Sequence, residues 1–364
     1  MFGDDPTMTV DVGMDYKGES LSFGVGGRVR FLAADGFRER DWDEPSEIAS
    51  LLRYARYEHT GDTSELVVVA GRLGDVELGH GTVFDGYESA LNLDHIHVGM
   101  QVRSDGERLR FDAVIDDVIA PRLIGARTAV LAGRYASFGA TAAADISAPS
   151  IDGPTVVPFA VLDASAAFTS DDERESIRTY VDLVSIPRVG SGAHIGVTGR
   201  ATFGGDGDVS VGGRGELRLS GDGYLPGWIG PLYEVTRQRV GDDMSTQLDN
   251  ARNRGSVKLT ALGALSLEAE RLGTLQVTYA SRPGMAKLLH GRIVAPQISG
   301  IQAAFWGAAE LKKGGVSAAA IEVRASLNRS AFLVVEGARL YRDGDMGIEP
   351  VWLATVAIGA SLGR

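Results

Sequence analysis

The chain is predicted to be all-β: a single transmembrane antiparallel β-barrel of about 16–18 strands, with an inward-folded segment near residues 74–92. Three observations predict it. Apolar and polar residues alternate over stretches of about ten residues, ended by Gly, Asp, Asn or Ser. Such stretches recur about every twenty residues along the chain, which leaves little room for helices. Their apolar faces are often small, as in Ala136–Ala144 (ASFGATAAA), where a soluble sandwich would need bulky core residues.

Taken in order, the strands are expected at 7–16, 20–33, 48–59, 65–72, 91–104, 108–117, 123–133, 135–147, 156–169 and 176–186, and then at 193–203, 209–220, 256–267, 274–282, 286–295, 302–312, 318–327, 331–341 and 352–362. Several carry one charged face. Arg28 and Arg30 alternate with Val29 and Phe31, and Arg108, Arg110 and Asp112 with Leu109, Phe111 and Ala113. Arg178, Tyr180 and Asp182 oppose Ile177, Thr179, Val181 and Leu183. Arg214, Glu216 and Arg218 oppose Gly215, Leu217 and Leu219, and Glu322 and Arg324 oppose Ile321 and Val323. In a barrel these charges line the lumen, and the apolar faces meet lipid. No backbone amide stays unpaired in a bilayer, so the first and last strands must meet, and an even strand number is expected.

One domain, residues 1–364, holds the whole chain, interrupted at 34–47, 74–92 and 221–253 by loop or constriction segments. The third contains YLPGWIGPLYEV, whose Trp and Tyr suit a membrane interface or a loop. Gly-Asp turns such as Ser104-Asp105-Gly106 and Gly204-Gly205-Asp206-Gly207-Asp208 have hairpin chemistry.

Composition narrows the function classes. Of 364 residues, 36 are Lys or Arg and 48 Asp or Glu, a net charge of −12 that disfavours a broad nucleic-acid-binding surface. The absence of Cys removes disulfides, thiolate metal sites and Cys nucleophiles. No run of eighteen apolar residues occurs to make a transmembrane helix. The first residues, MFGDDPTMTVDVG, show no signal peptide, so export implies one that is removed or lies upstream.

The densest chemistry lies in Val67–Gly99, where an apolar strand passes through a Gly-His-Gly turn to a second strand expected to begin near Leu93. Glu77, His80, Asp85, Asp94, His95 and His97 could gather around a metal, with His95 and His97 facing one way along a strand. The competing reading, a polar lumen-facing turn shaped by Gly79 and Gly81, is preferred, and no metal is expected. Ser137, Ser165 and Ser191 have no Gly-x-Ser-x-Gly elbow and no identifiable His partner, so no catalytic residue is assigned. Gly24-Val25-Gly26-Gly27 lacks the strand–turn–helix setting of a phosphate loop, and no cofactor is expected.

Within Leu51–Gly125 and the residues just after it, LLRYARYEHTGD, LVVVAGRLGDVELGHGTVFDGYESALNLDHIHVGMQV and VIDDVIAPRLIGARTAVL resemble a poorly characterised, deltaproteobacterial-type group of porin-like outer-membrane β-barrels. The landmarks are Arg72, Gly74, Leu78, Gly79, His80, Gly81, Tyr87, Asn92 and Gly125-Ala126-Arg127. Of these, Arg72, Gly79, His80, Gly81, Tyr87 and Asn92, with Glu77 and Asp85, are expected to form the family-motif or constriction segment. The resemblance implies an outer-membrane location, a lipid-bilayer partner and passive passage of small hydrophilic solutes or ions, without enzymatic activity. The group assigns no catalytic residues. The ending ASLGR departs from the aromatic finish common in such barrels. Two other readings stand beside this one: a non-conducting barrel that anchors an envelope or motility complex, and, more distantly, an outer-membrane hydrolase.

Overall fold

The computed structural model describes residues 7–32, 36–37, 51–170, 174–204, 209–237, 246–252, 257–269, 271–282, 285–328, 330–344 and 347–363. Of twenty strand segments, nineteen form one wall, and the other, Gly36–Phe37, pairs only with the end of the second strand. Apart from that pair, the loop expected at 34–47 lies outside the described residues.

The wall strands are β1 (Thr7–Lys17), β2 (Leu21–Leu32), β3 (Leu52–Thr60), β4 (Ser64–Gly71), β5 (Gly99–Gly106), β6 (Leu109–Ile115), β7 (Leu123–Ala132), β8 (Ala136–Ala148), β9 (Thr155–Thr169) and β10 (Glu175–Ile186). They continue as β11 (Gly190–Phe203), β12 (Val209–Ser220), β13 (Lys258–Ala269), β14 (Gly273–Ala280), β15 (Leu288–Val294), β16 (Ile301–Glu310), β17 (Ser317–Ser326), β18 (Ala331–Gly344) and β19 (Gly347–Gly363). Each pairs antiparallel with the next, and β1 closes on β19 in parallel, from Thr7 opposite Leu353 to Lys17 opposite Gly363. The expected barrel is therefore present, but with an odd strand number in place of the even one. An up-and-down wall of nineteen strands brings its two end strands together pointing the same way, and a parallel ladder satisfies their backbones as well.

Side chains obey the two-residue period of the pleat. Along β9, Val157, Phe159, Val161 and Asp163 are buried inward, while Val156, Leu162 and Phe168 are exposed outward. Ile177, Val181 and Leu183 on β10, Ile195 and Val197 on β11, Leu217 and Leu219 on β12, and Leu259 and Leu265 on β13 continue that outer surface. An apolar surface carried on strand after strand far exceeds the isolated patches that water-soluble proteins tolerate. The medium that suits it is hydrocarbon, and the closed wall leaves no backbone edge for it to strand. No helix among the described residues is long and apolar enough to cross a membrane, which has no bearing on a barrel.

A wall of this many strands encloses more space than wall side chains alone fill. Residues 72–98, between β4 and β5, and the described residues 221–237 and 246–252, between β12 and β13, enter from the same rim, called here the insert rim. The second insert includes two short helices, α1 (Tyr233–Thr236) and α2 (Gln247–Arg252). Leu78, Phe84 and Tyr87 from the first insert and Tyr224, Trp228 and Ile229 from the second form one buried cluster with Phe159, Val161 and Val184 of the wall. Leu91, Leu93 and Ile96 meet Leu232 and Val235 in a second, against Leu262, Leu288 and Leu353. Trp228 packs edge-on against Phe159, with ring centroids 5.6 Å apart.

Two expectations are corrected here. YLPGWIGPLYEV is not at a membrane interface: Tyr224, Leu225, Trp228, Ile229, Leu232 and Tyr233 are each at most 2% exposed, inside the barrel. Its aromatic rings suit that place because apolar partners on the first insert and the wall cover them. The strand expected from Leu91 begins instead at Gly99, because residues 91–98 leave the wall register to pack within the insert.

Candidate functional site

The first insert is a hairpin. Val76 and Tyr87 exchange both backbone hydrogen bonds at 3.0 Å, and Leu78 N donates to Phe84 O at 3.3 Å. Gly79 and Gly81, at φ +67° and +71°, make the turn that points His80 at the wall. The second insert docks alongside: Ile229 N donates to Val83 O at 2.9 Å, and Asp85 N to Ile229 O at 3.1 Å.

Opposite the hairpin tip, strand register stacks a charged cluster. Asp182 lies across from His194, and His194 across from Arg218. Glu216 is its hub, with its side chain fully buried: His194 Nδ1 is 3.0 Å away, Arg214 Nη2 is 2.7 Å away, and Tyr180 and Arg218 also donate to it. Tyr180 reaches Glu216 across β11 because Gly196 stands between them; a Cβ there would lie 2.3 Å from the Tyr180 ring.

The insert grips this cluster at several points. Arg214 donates to Glu77 at 3.0 Å and to the His80 carbonyl, and Arg218 to Asp85 at 3.1 Å. His80 Nδ1 lies 2.8 Å from Asp182 Oδ1, Thr82 donates to Asp182 Oδ2 at 2.6 Å, and the His80 ring stacks on Tyr180 at 4.2 Å. Tyr224 joins His194 at 2.7 Å and donates to the Thr82 carbonyl at 3.3 Å. Burial pushes the Glu77 carboxyl up to about 7, with Arg214 pulling against it. Its side chain is 46% open to the lumen, so water there tempers the shift.

A second network ties the inserts to the loop after β6. Tyr87 donates to Glu234 Oε1 at 2.6 Å, Arg122 to Glu234 Oε2 at 3.0 Å, and Arg122 also to Asp116. Burial works to raise the Glu234 carboxyl, but Arg122 and Arg237 outweigh it and hold it below the usual range. Nearby, His97 Nδ1 is 2.8 Å from Asp117, and burial first, then Arg122, pushes His97 down to about 4.

The expected lumen charges fall into groups. Arg28 is 3.7 Å from Asp11, Arg110 pairs with Asp105 at 3.0 Å, and Asp112 with Arg103 at 3.0 Å. Arg30 is buried and donates to the Leu93 carbonyl at 3.3 Å. Arg324 pairs with Asp15 at 2.8 Å and stacks over Phe332, and Glu322 lies opposite Glu336. Arg108 sits exposed in the turn before β6, outside the strand. Arg178 lines a recess of about 370 Å³ with Glu77, His80, Arg110, Asp112 and Arg214. Of the motif residues, Arg72 N donates to the Arg53 carbonyl at 3.2 Å, and Asn92 bridges to Tyr341.

The metal candidates separate. Glu77 and Asp85 go to arginines, His80 to Asp182, and His97 to Asp117. His95 and His97 do face one way, their rings stacked at 6.0 Å. His80, Asp163 and Asp182 bring ligand atoms within 4.8 Å of one another, yet Arg127 holds both Asp163 oxygens at 3.0 and 2.6 Å. Ser137 and Ser165 hydrogen-bond to each other at 2.7 Å. Sequence reasoning set Tyr180 on the inward face without giving it a role, and it missed His194, Tyr224 and Glu234. His194 sits on the inward register of an expected strand, opposite Asp182, so strand parity alone would have found it.

No family model and no curated protein matches the chain. Among solved structures, it is similar to the outer membrane protein OpdK of Pseudomonas aeruginosa, at 11% identity over 98% of each chain with a TM-score of 0.39. It is similar to a BenF-like porin of Pseudomonas fluorescens at 9% identity over 98% of each chain, TM-score 0.38. A structure of OpdK with vanillate aligns at 11% identity over 92% of each chain, TM-score 0.37.

Proposed function

We propose that the chain is an outer-membrane, porin-like passive channel for small hydrophilic solutes or ions, and not an enzyme, of the deltaproteobacterial-type group its Arg72–Asn92 and Gly125-Ala126-Arg127 motifs resemble. One observation carries the reading: an apolar outer belt encloses a lumen whose inward charges meet a hairpin insert at Glu77, His80 and Asp85. Such rings of fixed charge set which ions pass. Around the recess beside the insert tip, Arg103, Arg110 and Arg214 are matched by carboxylates, while Arg178 has no ion pair among the described residues. That surplus favours anions.

Planar-bilayer conductance of the purified, folded protein tests the proposal. Discrete conductance with a charge preference is expected; a folded protein that never conducts overturns it. Heat-modifiable gel migration and a need for detergent test the membrane setting separately, and a monodisperse protein without detergent would refute it.

A second reading is favoured by the two apolar clusters that fill the insert rim. In it the barrel is closed and anchors an envelope complex. Stoichiometric partners co-purifying from membranes, together with zero conductance, would support it over the channel.

A further inference from the structure

Against the other side of the Glu77–Arg214 bridge lies a second recess of about 320 Å³, at the small end of the usual size for small-molecule sites. Its roof is the insert, with Asp75 and Asp85; its floor is the inward face of β13–β16, with Ser266, Gln276, Thr278, His290, Arg292 and Trp306.

Most charges around it are already matched. Glu77 and Asp85 are taken by Arg214 and Arg218, and Arg200 by Glu268 at 3.0 Å. Two are not: Asp75 on the roof and Arg292 on the floor are exposed to the lumen and form no ion pair among the described residues. They belong to one neighbourhood. Asp75 N donates to Glu88 Oε1 at 3.0 Å, and Arg292 lies close enough to act electrostatically on Glu88. An acid and a base thus line one recess without an ion pair between them, beside the Trp306 indole and three uncharged hydrogen-bonding side chains.

We propose that this recess binds zwitterionic solutes of the α-amino-acid type, the ammonium on Asp75 and the carboxylate on Arg292, with Trp306 against the side chain. The chemistry selects that class. An α-ammonium and α-carboxylate are two bonds apart, so they need opposite charges side by side. A simple anion would leave Asp75 unmatched and repel it, a simple cation would do the same to Arg292, and a neutral sugar would desolvate both without return. The inference rests on the channel reading for its role, but the binding step does not need conduction.

The test uses four solutes of nearly equal size and different charge: alanine, lactate, alaninamide and lactamide. Binding to the detergent-purified protein is followed by calorimetry or by ligand-observed NMR, and passage by swelling of proteoliposomes. Alanine is expected to bind roughly tenfold more tightly than any of the others, the worth of one charge-assisted contact. Asp75→Asn and Arg292→Gln should each bring alanine down to the level of lactamide. Asp75 has φ +54°, which Asn also accepts, and Arg292 is exposed, so both variants keep the fold. Lactate or alaninamide binding as tightly as alanine overturns the proposal, as does alanine binding unchanged in both variants. If alanine binds selectively and no solute enters the liposomes, the site stands and the channel reading fails.

Discussion

Leu93 N donates to the Tyr341 carbonyl at 2.8 Å, and Tyr341 N donates to the Leu91 carbonyl at 3.0 Å. β18 outruns its partner at this point, since its pairing with β17 ends at Arg339 opposite Ala319. The insert supplies the missing ladder and so becomes part of the wall. Leu93→Pro removes the donor and is expected to cost about 3 kcal/mol locally. Hydrogen exchange at Tyr341 should speed up while exchange in β9–β12 stays as it was; unchanged protection at Tyr341 would refute the anchoring role.

Glu77 is an acid held up to about 7 beside Arg214, moderated by lumen water. Above that value it is charged and offsets Arg214; below it, the cluster of Arg214, Arg218, Glu216 and Asp85 faces the lumen with one negative charge fewer. Anion preference, read as reversal potential in a salt gradient, should therefore rise as pH falls from 8 to 5. Glu77→Gln should show the low-pH preference throughout, and a pH-independent wild type would count against the assignment.

His97, held down to about 4 from an ordinary 6.5, stays neutral in the folded insert. A depressed histidine contributes its stability in full above 6.5 and loses it as pH falls toward 4, by about 3 kcal/mol at most. Protease cleavage within residues 72–98 should increase over that window. His97→Gln should flatten the dependence, and an equally steep one in the variant would assign it to another group.

Glu216 is fully buried and faces four donors. Glu216→Ala leaves Arg218, 1% exposed, without its nearest counter-charge, at an expected cost of about 3–5 kcal/mol. The temperature of the heat-modifiability transition should fall clearly. A smaller fall is expected for Tyr87→Phe, which removes one hydrogen bond to Glu234 and costs about 1–3 kcal/mol.

The strand positions were legible in the sequence apart from the one expected from Leu91, which begins at Gly99, because alternation and turn residues are local signals. The odd number was not, since it depends on how β1 meets β19, a relation between the two ends of the wall. At the site, Arg214, Glu216 and Arg218 were legible as an inward row on β12, and Glu77, His80 and Asp85 as a polar turn. That the row and the turn would meet was not, because no period links residues more than a hundred positions apart. The aromatic patch at Tyr224–Tyr233 misled for a related reason: Trp and Tyr suit a membrane boundary and a buried core equally well, and only the first insert decides between them.

The parallel β1–β19 ladder also bears on how the barrel forms. Every other seam in the wall can zip from a neighbouring turn or insert, whereas this one joins Thr7 to Leu353 and has no turn to nucleate it. It is the contact of greatest sequence separation, and its loop-closure entropy must be met before any of its bonds form. Closure is therefore expected as the last and slowest step of assembly. Until it happens, two unpaired edges face the bilayer, and a strand from an assembly factor or a second copy can compete for them.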